Sequence, residues 1–260
     1  QAWASINPYP WPVARFLAWQ EEWGLRHAVG ITAASRWLED RAHQYAPQTP
    51  VLYLPNGVEI RDAAPAQPPP AGRQVDGSVP RILFYTRFVE VEPNWLADFW
   101  HALHQRRPAA RLVVAGAPLQ AGPETLFQQA MAANPAAARQ VAWTGFVTRA
   151  QQTALYQTAS CAIFPAQEIP LLQAKCSVKL ATTLLHSVPV VASAVGEQAA
   201  YGAEGAARLV DPAATPAAFA DVVLALIDDP AAQQAMIGAA RRRLADEYSW
   251  VKLGDRLAAF

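Results

Sequence analysis

"CSVKLATTLLHSVPVVASAVGE", residues 176–197, decides how the chain folds. Ser177 and Lys179 stand at the mouth of a helix, the helix breaks at His186-Ser187, and a β-branched strand runs from Val188 to Ser193 before Gly196. A helix followed within a few residues by a continuous apolar strand is the pattern of a parallel sheet buried on both faces. It also sets a helix N-terminus and a lysine near a strand exit, an arrangement that suits an anion.

The same alternation extends toward the N-terminus as far as residue 81. Strands are expected at "RILFYT" (81–86), "RLVVAG" (111–116), "VAWTG" (141–145), "CAIFPA" (161–166), "VPVVAS" (188–193) and "ARLVD" (207–211). Helical periodicity fills residues 92–107, 123–133 and 148–159 between them. The expected fold is α/β, a Rossmann-like doubly wound parallel sheet with an incomplete second α/β domain. Thr215-Pro216 and Asp229-Pro230 each place a capping side chain before proline at the first helical position, so two helices follow the sheet. "SWVKLGDRLAAF" makes a short terminal helix.

Residues 1–60 differ in character. Five of the nine tryptophans fall before residue 38, and "AVGITA" (28–33) and "VLYLP" (51–55) read as strands flanking a helix from Arg36 to Tyr45, capped by Ser35. Two strands and two helices do not make a core of their own, so this segment is expected to be the tail of a second domain. Its tryptophans are assigned to core or domain interface. The expected organisation is 1–60 as that remnant, 61–80 as a Pro-rich linker, 81–245 as a ligand-binding domain, and 246–260 as a helix crossing back to the first domain.

Composition excludes several classes. Lys plus Arg equals Asp plus Glu at 21 each, so no basic excess points to nucleic acid. Arg241-Arg242-Arg243 is taken as a solvated helix face. Two cysteines form neither a disulfide framework nor a zinc site, and His101 and His104, three apart on a helix, lack the further ligands that zinc requires. No metal is assigned. No stretch is long and apolar enough to span a bilayer and no signal peptide is evident. A cytoplasmic protein is expected, with association at a membrane surface left open.

In an open parallel sheet, ligands bind beyond the carboxyl ends of the strands. Arg87, Gly116, Gly145, Pro165 and Glu168 follow strands and are the candidates there, beside the helix that carries Lys179. An arginine with a helix mouth suits a diphosphate. Pairing of Arg87 with Glu90 or Glu92 is the alternative to this role, which its strand-end position favours, and Lys175 and Lys179 are even between phosphate contact and solvated surface. No G-x-G-x-x-G follows a strand, which disfavours a dinucleotide-binding oxidoreductase.

The segments "ITAASRWLEDRA", "VLYLPNGVEI", "ILFYTRF", "ARLVVAGAP", "VAWTGFVTRAQQTALYQTASCAIFPAQE", "KLATTLLHSVPVVASAVGE" and "YSW", in that order, resemble the group 1 (family 4) glycosyltransferases. Those are retaining enzymes of the GT-B architecture, in which two Rossmann-like domains face a cleft. The resemblance covers about residues 28–260. It implies a nucleotide-sugar donor bound by residues 81–240, with no metal or other cofactor. It also implies an acceptor that the sequence does not identify, and a missing N-terminal half or partner chain, without which this chain binds donor but transfers nothing. The family arginine that contacts the diphosphate falls on Arg87. The lysine that usually follows five residues later is replaced by Glu92, and Lys175 or Lys179 is expected to substitute. Gly145, Phe146 and Val147 correspond to the loop that meets the base, and the helix start at Ser177 and Val178, read from the residues themselves, is expected to stabilise the departing diphosphate. Of two family glutamates, the first is Glu168, near the donor sugar; the second, which holds the ribose, falls on Thr182. These departures support an alternative, a degenerate member acting as a binding or scaffolding partner.

Overall fold

A computed structural model describes residues 9–60, 79–119 and 121–260. The linker expected over 61–80 lies outside the described residues except for Val79 and Pro80, and Trp3 lies outside them as well.

The first unit is α1 (Trp11–His27), β1 (Ile31–Ala33), α2 (Arg36–Tyr45) and β2 (Val51–Tyr53), with β1 and β2 paired in parallel. Ser35 caps α2 as expected, its hydroxyl accepting the Leu38 N–H at 3.2 Å. The tryptophans of α1 are not core: Trp11, Trp19 and Trp23 are 69%, 58% and 52% exposed. Trp11, Phe16, Trp19 and Trp23 lie within one broad arc of the helix, on the side away from the Glu21–Arg41 contact with α2.

The second unit begins with β3 (Arg81–Tyr85), α3 (Pro93–Arg106), β4 (Arg111–Ala115), α4 (Pro123–Met131), α5 (Pro135–Ala138), β5 (Val141–Gly145) and α6 (Arg149–Thr158). It continues through β6 (Cys161–Phe164), α7 (Pro170–Ala174), α8 (Val178–Leu185), β7 (Val190–Ser193), α9 (Gly196–Gly202) and β8 (Arg208–Val210). Helices α10 (Pro216–Ile227), α11 (Pro230–Glu247) and α12 (Trp250–Ala259) close the chain. The strands form one parallel sheet in the order β5-β4-β3-β6-β7-β8. The chain winds outward in one direction from β3 and in the other from β6, so the crevice between those two strand ends is the switch point of the sheet.

Strand alternation distributes the core. Ile82 and Phe84 face one layer, packed with Leu96, Trp100, Phe127 and Phe219. Leu83 faces the other, packed with Tyr156, Leu180, Leu184 and Leu244. The Trp100 indole N–H is satisfied by the Ala137 carbonyl at 2.9 Å, which lets a large amphipathic ring be fully buried. Thr148 and Gln151 form a capping box at α6. The break at His186-Ser187 is real: Ser187 adopts φ +60°, and its hydroxyl accepts from Arg241 at 2.9 and 3.1 Å. The arginine run is therefore not a simple solvated face. Arg241 holds this turn, and Arg243 donates to the Ala200 carbonyl at 3.0 Å and to Glu247.

Buried polar contacts join the two units. Glu197, at the start of α9, accepts the Tyr53 hydroxyl at 2.5 Å and the Arg36 N–H of α2 at 2.9 Å. Burial pushes its pKa up, in spite of those hydrogen bonds. The Tyr201 hydroxyl donates to the Asn56 carbonyl at 2.6 Å, and the Asn56 N–H meets the Cys176 thiol at 3.2 Å. Val58 bridges to Ser249, with the Val58 N–H on Tyr248 and the Trp250 N–H on Val58. No helix among the described residues is long and apolar enough to cross a membrane.

Candidate functional site

A cavity of about 390 Å³ opens at the switch point. The end of β3 supplies Tyr85, Thr86 and Arg87, β4 supplies Gly116, and β6 supplies Phe164 and Pro165. The opposite wall is the segment Lys175–Lys179, with Phe146 exposed and Gln198 buried among the other lining residues. Close approach of the β3 and β4 ends requires glycine at 116, because a Cβ there would sit 2.1 Å from the Thr86 carbonyl oxygen at φ +108°.

Arg87 stands 5.4 Å from the Phe146 ring centroid, a cation over an aromatic face. Its Nε is buried and has no hydrogen-bond partner among the described residues. A buried guanidinium N–H without an acceptor is costly and marks where an acceptor belongs. Neither expected carboxylate pairs with the guanidinium: Glu90 takes the backbone N–H of Arg87 instead, at 3.3 Å. Lys179 lies over Tyr85, 4.4 Å from its ring centroid. Lys175 forms an ion pair with Glu90 at 2.7 Å. Helix α8 starts without a capping side chain; the Ser177 hydroxyl makes no such bond. The N–H of Val178 is held by the Cys176 carbonyl at 3.0 Å, and the positive end of the α8 peptide dipoles lies at the cavity wall.

Of the residues expected from the sequence, Arg87, Phe146, Lys175, Ser177, Val178 and Lys179 line this cavity together. Four do not. Gly145, at φ +61°, is not on the lining and uses its carbonyl to hold the Gly116 N–H at 2.8 Å. Val147 is half-buried and is not on the lining. Thr182 sits a turn into α8 and returns its hydroxyl to the Val178 carbonyl at 2.9 Å, so it faces its own helix. Glu168 is exposed on the loop after β6, against Gln173 at 3.5 Å. Thr86, Cys176 and Gln198, which carry no motif in the sequence, also lie on the cavity wall, as does Glu90. Among the described residues no three His, Cys, Asp or Glu side chains converge as metal ligands. His104 is buried in the α3 layer, and His186 stacks on Tyr156 at 4.8 Å.

Residues 79–229, more than half of the chain, match the family described as Glycosyl transferases group 1. The chain belongs to this family. No curated protein matches it in sequence. Among solved structures it is similar to sucrose-phosphate synthase from Thermosynechococcus elongatus, with a TM-score of 0.72 at 18% identity over 92% of this chain and 59% of that one. It is also similar to HepE of Anabaena in complex with UDP and glucose, with a TM-score of 0.69 at 18% identity over 91% and 63%. A TarM variant of S. aureus, solved with fondaparinux, alpha-GlcNAc-glycerol and UDP, aligns at a TM-score of 0.70 and 12% identity over 92% and 45%. The chain therefore spans less than two thirds of the length of these relatives, and at such identity the likeness is one of fold.

Proposed function

We propose that this chain carries the donor-binding part of a nucleotide-sugar-dependent glycosyltransferase that acts with retention at the anomeric carbon. One observation carries the proposal: the buried Nε of Arg87, two lysines and an uncapped helix start share a single cavity at the sheet's switch point. That combination fits a diphosphate. As the bond between the anomeric carbon and the phosphate oxygen breaks, negative charge grows on the departing nucleoside diphosphate. The Arg87 guanidinium can take two phosphate oxygens, the positive start of α8 beyond Val178 favours another, and the Lys175 and Lys179 ammonium groups donate to the rest. Such preorganised charge lowers the barrier without moving during the reaction. The acceptor oxygen bonds to the anomeric carbon and its proton is released.

In this scheme the loop Gly145–Val147 meets the base, with Phe146 exposed at the cavity rim. Glu168 belongs to the sugar end of the donor, and Thr182 is left out of it. Positive charge comes wholly from side chains and peptide dipoles, so no divalent metal is called for. Relatives crystallised with UDP support a uridine donor as the first to try. Calorimetric titration with UDP-, GDP- and ADP-sugars tests the proposal. Micromolar binding of one of them supports it. Binding of none favours the second reading, a non-catalytic scaffold, for which Glu92 and Thr182 at the positions of a family lysine and glutamate speak.

A further inference from the structure

Glu90 has no role in the scheme above, yet it sits on the cavity wall only three residues beyond Arg87. It is 9% exposed. One carboxylate oxygen receives the Thr86 hydroxyl at 2.8 Å and the N–H groups of Arg87 and Val89 at 3.3 and 3.2 Å. The other receives the Lys175 ammonium at 2.7 Å. Thr86 in turn accepts the Phe88 N–H at 2.8 Å, and Phe88 is held at φ +55°. The turn from 86 to 90 is thus wound around its own carboxylate.

A buried acid in a pocket for an anion is a puzzle, because like charges repel and low dielectric sharpens the repulsion. Burial by itself would raise the pKa of Glu90. The charge and hydrogen bond of Lys175, with the bonds from Thr86 and Val89, outweigh it and hold the group below the ordinary carboxylate value. The acid is therefore ionised and matched by a lysine from the opposite wall. Of the three N–H donors on that ammonium, one is spent on Glu90 and two stay available.

We propose that Glu90 is a positioning residue: it shapes the turn that presents Arg87 and draws Lys175 across the cavity as the second phosphate-binding cation. The inference rests on reading the cavity as a nucleoside-diphosphate site. It explains how Glu92 can replace a lysine on the Arg87 side, since an ammonium donor enters instead from the segment between α7 and α8. Lys175 has a long, half-exposed stem, and without Glu90 a ligand would have to order it at its own entropic cost.

The test compares UDP, GDP and ADP with UMP, GMP and AMP by calorimetry, on wild type, Glu90→Gln, Lys175→Met and the double variant. Wild type is expected to prefer one diphosphate over its monophosphate. Each single variant should lose about 5- to 20-fold of that preference, the lower part of the range for a charge-assisted contact because Lys175 is half-exposed. The double variant should lose no more than either single one, because the two residues act as a unit. If Glu90→Gln weakens mono- and diphosphate equally, or the losses multiply in the double variant, Glu90 is merely structural and the inference falls. If wild type prefers the diphosphate and Glu90→Gln keeps that preference, the inference falls while the site reading stands. Wild type that binds none of the six nucleotides overturns both. Should Glu90→Gln not fold, Glu90→Asp, which keeps the charge but withdraws it by one methylene, is expected to show the same selective loss.

Discussion

Replacing Gly116 by alanine isolates the geometry that opens the cavity. The new Cβ would lie 2.1 Å from the Thr86 carbonyl oxygen, where a carbon–oxygen contact settles above roughly 3.3 Å. Backbone has to move by about 1 Å, and both sides are pinned. The Thr86 N–H is bonded to Ala115 at 2.9 Å, and the Gly116 N–H to Gly145 at 2.8 Å. Losing those two bonds costs about 1 kcal/mol each, and alanine at φ +108° adds about 1–2 kcal/mol. The expected loss is about 3–4 kcal/mol, a fall in melting temperature of about 10 °C for a chain of this size. Circular dichroism melting reads the stability. Titration with the preferred nucleotide reads the site, where displacement of Thr86 should carry Arg87 with it and weaken binding at least tenfold. A Gly116→Ala protein that melts within about 2 °C of wild type and binds as well would refute the close-approach reasoning.

Removing the guanidinium in Arg87→Ala should weaken nucleoside diphosphate binding about 10- to 150-fold with little change in melting; unchanged affinity would take Arg87 out of the site. The folded pKa of Glu90 is depressed, so its stabilising contribution is complete above the ordinary carboxylate value near about 4.3 and fades as pH falls through the folded value. Denaturant titrations at several pH values between about 3 and 7 should therefore show a smaller acid loss in Lys175→Met than in wild type. Burial lifts the Cys161 thiol to about 12, so at neutral to mildly alkaline pH an alkylating reagent should modify Cys176 alone in the folded protein, and mass spectrometry after unfolding should then show both. Tyr201→Phe deletes the hydroxyl that joins Asn56 and Cys176 and should cost about 1–2 kcal/mol; an unchanged denaturation midpoint would mean that the junction contributes nothing.

Much of the fold is visible in the sequence because the strands are continuous apolar runs with punctuated helices between them. β3 and β5 start at the expected residues, α2 spans the predicted positions, and Thr215 and Asp229 each cap the helix they precede. Short helices escape such reading. α5, α7 and α9 are at most seven residues long, too brief for a 3.6-residue period to register. The site is legible where it depends on strand ends, as at Arg87 and Gly116. It is illegible where it depends on side-chain direction: the Thr182 hydroxyl turns back to the Val178 carbonyl of its own helix. Glu90 and Lys175 are 85 residues apart, and no local pattern announces such a pair.

The contact of Asn56 with Cys176 has a mechanical meaning. Cys176 is flanked by Lys175 and Ser177, so the segment that walls the cavity is also where the chain leaving β2 is fastened. A swivel of the first unit about residues 54–58 meets no slack there. It either breaks the 2.6 Å bond from Tyr201 to Asn56 or drags the lysine-bearing rim along with it. Tilt between the units and the spacing of the cations are thereby geared to each other, and a molecule wedged between Arg87 and α8 would feel, and resist, any twist applied at the far end.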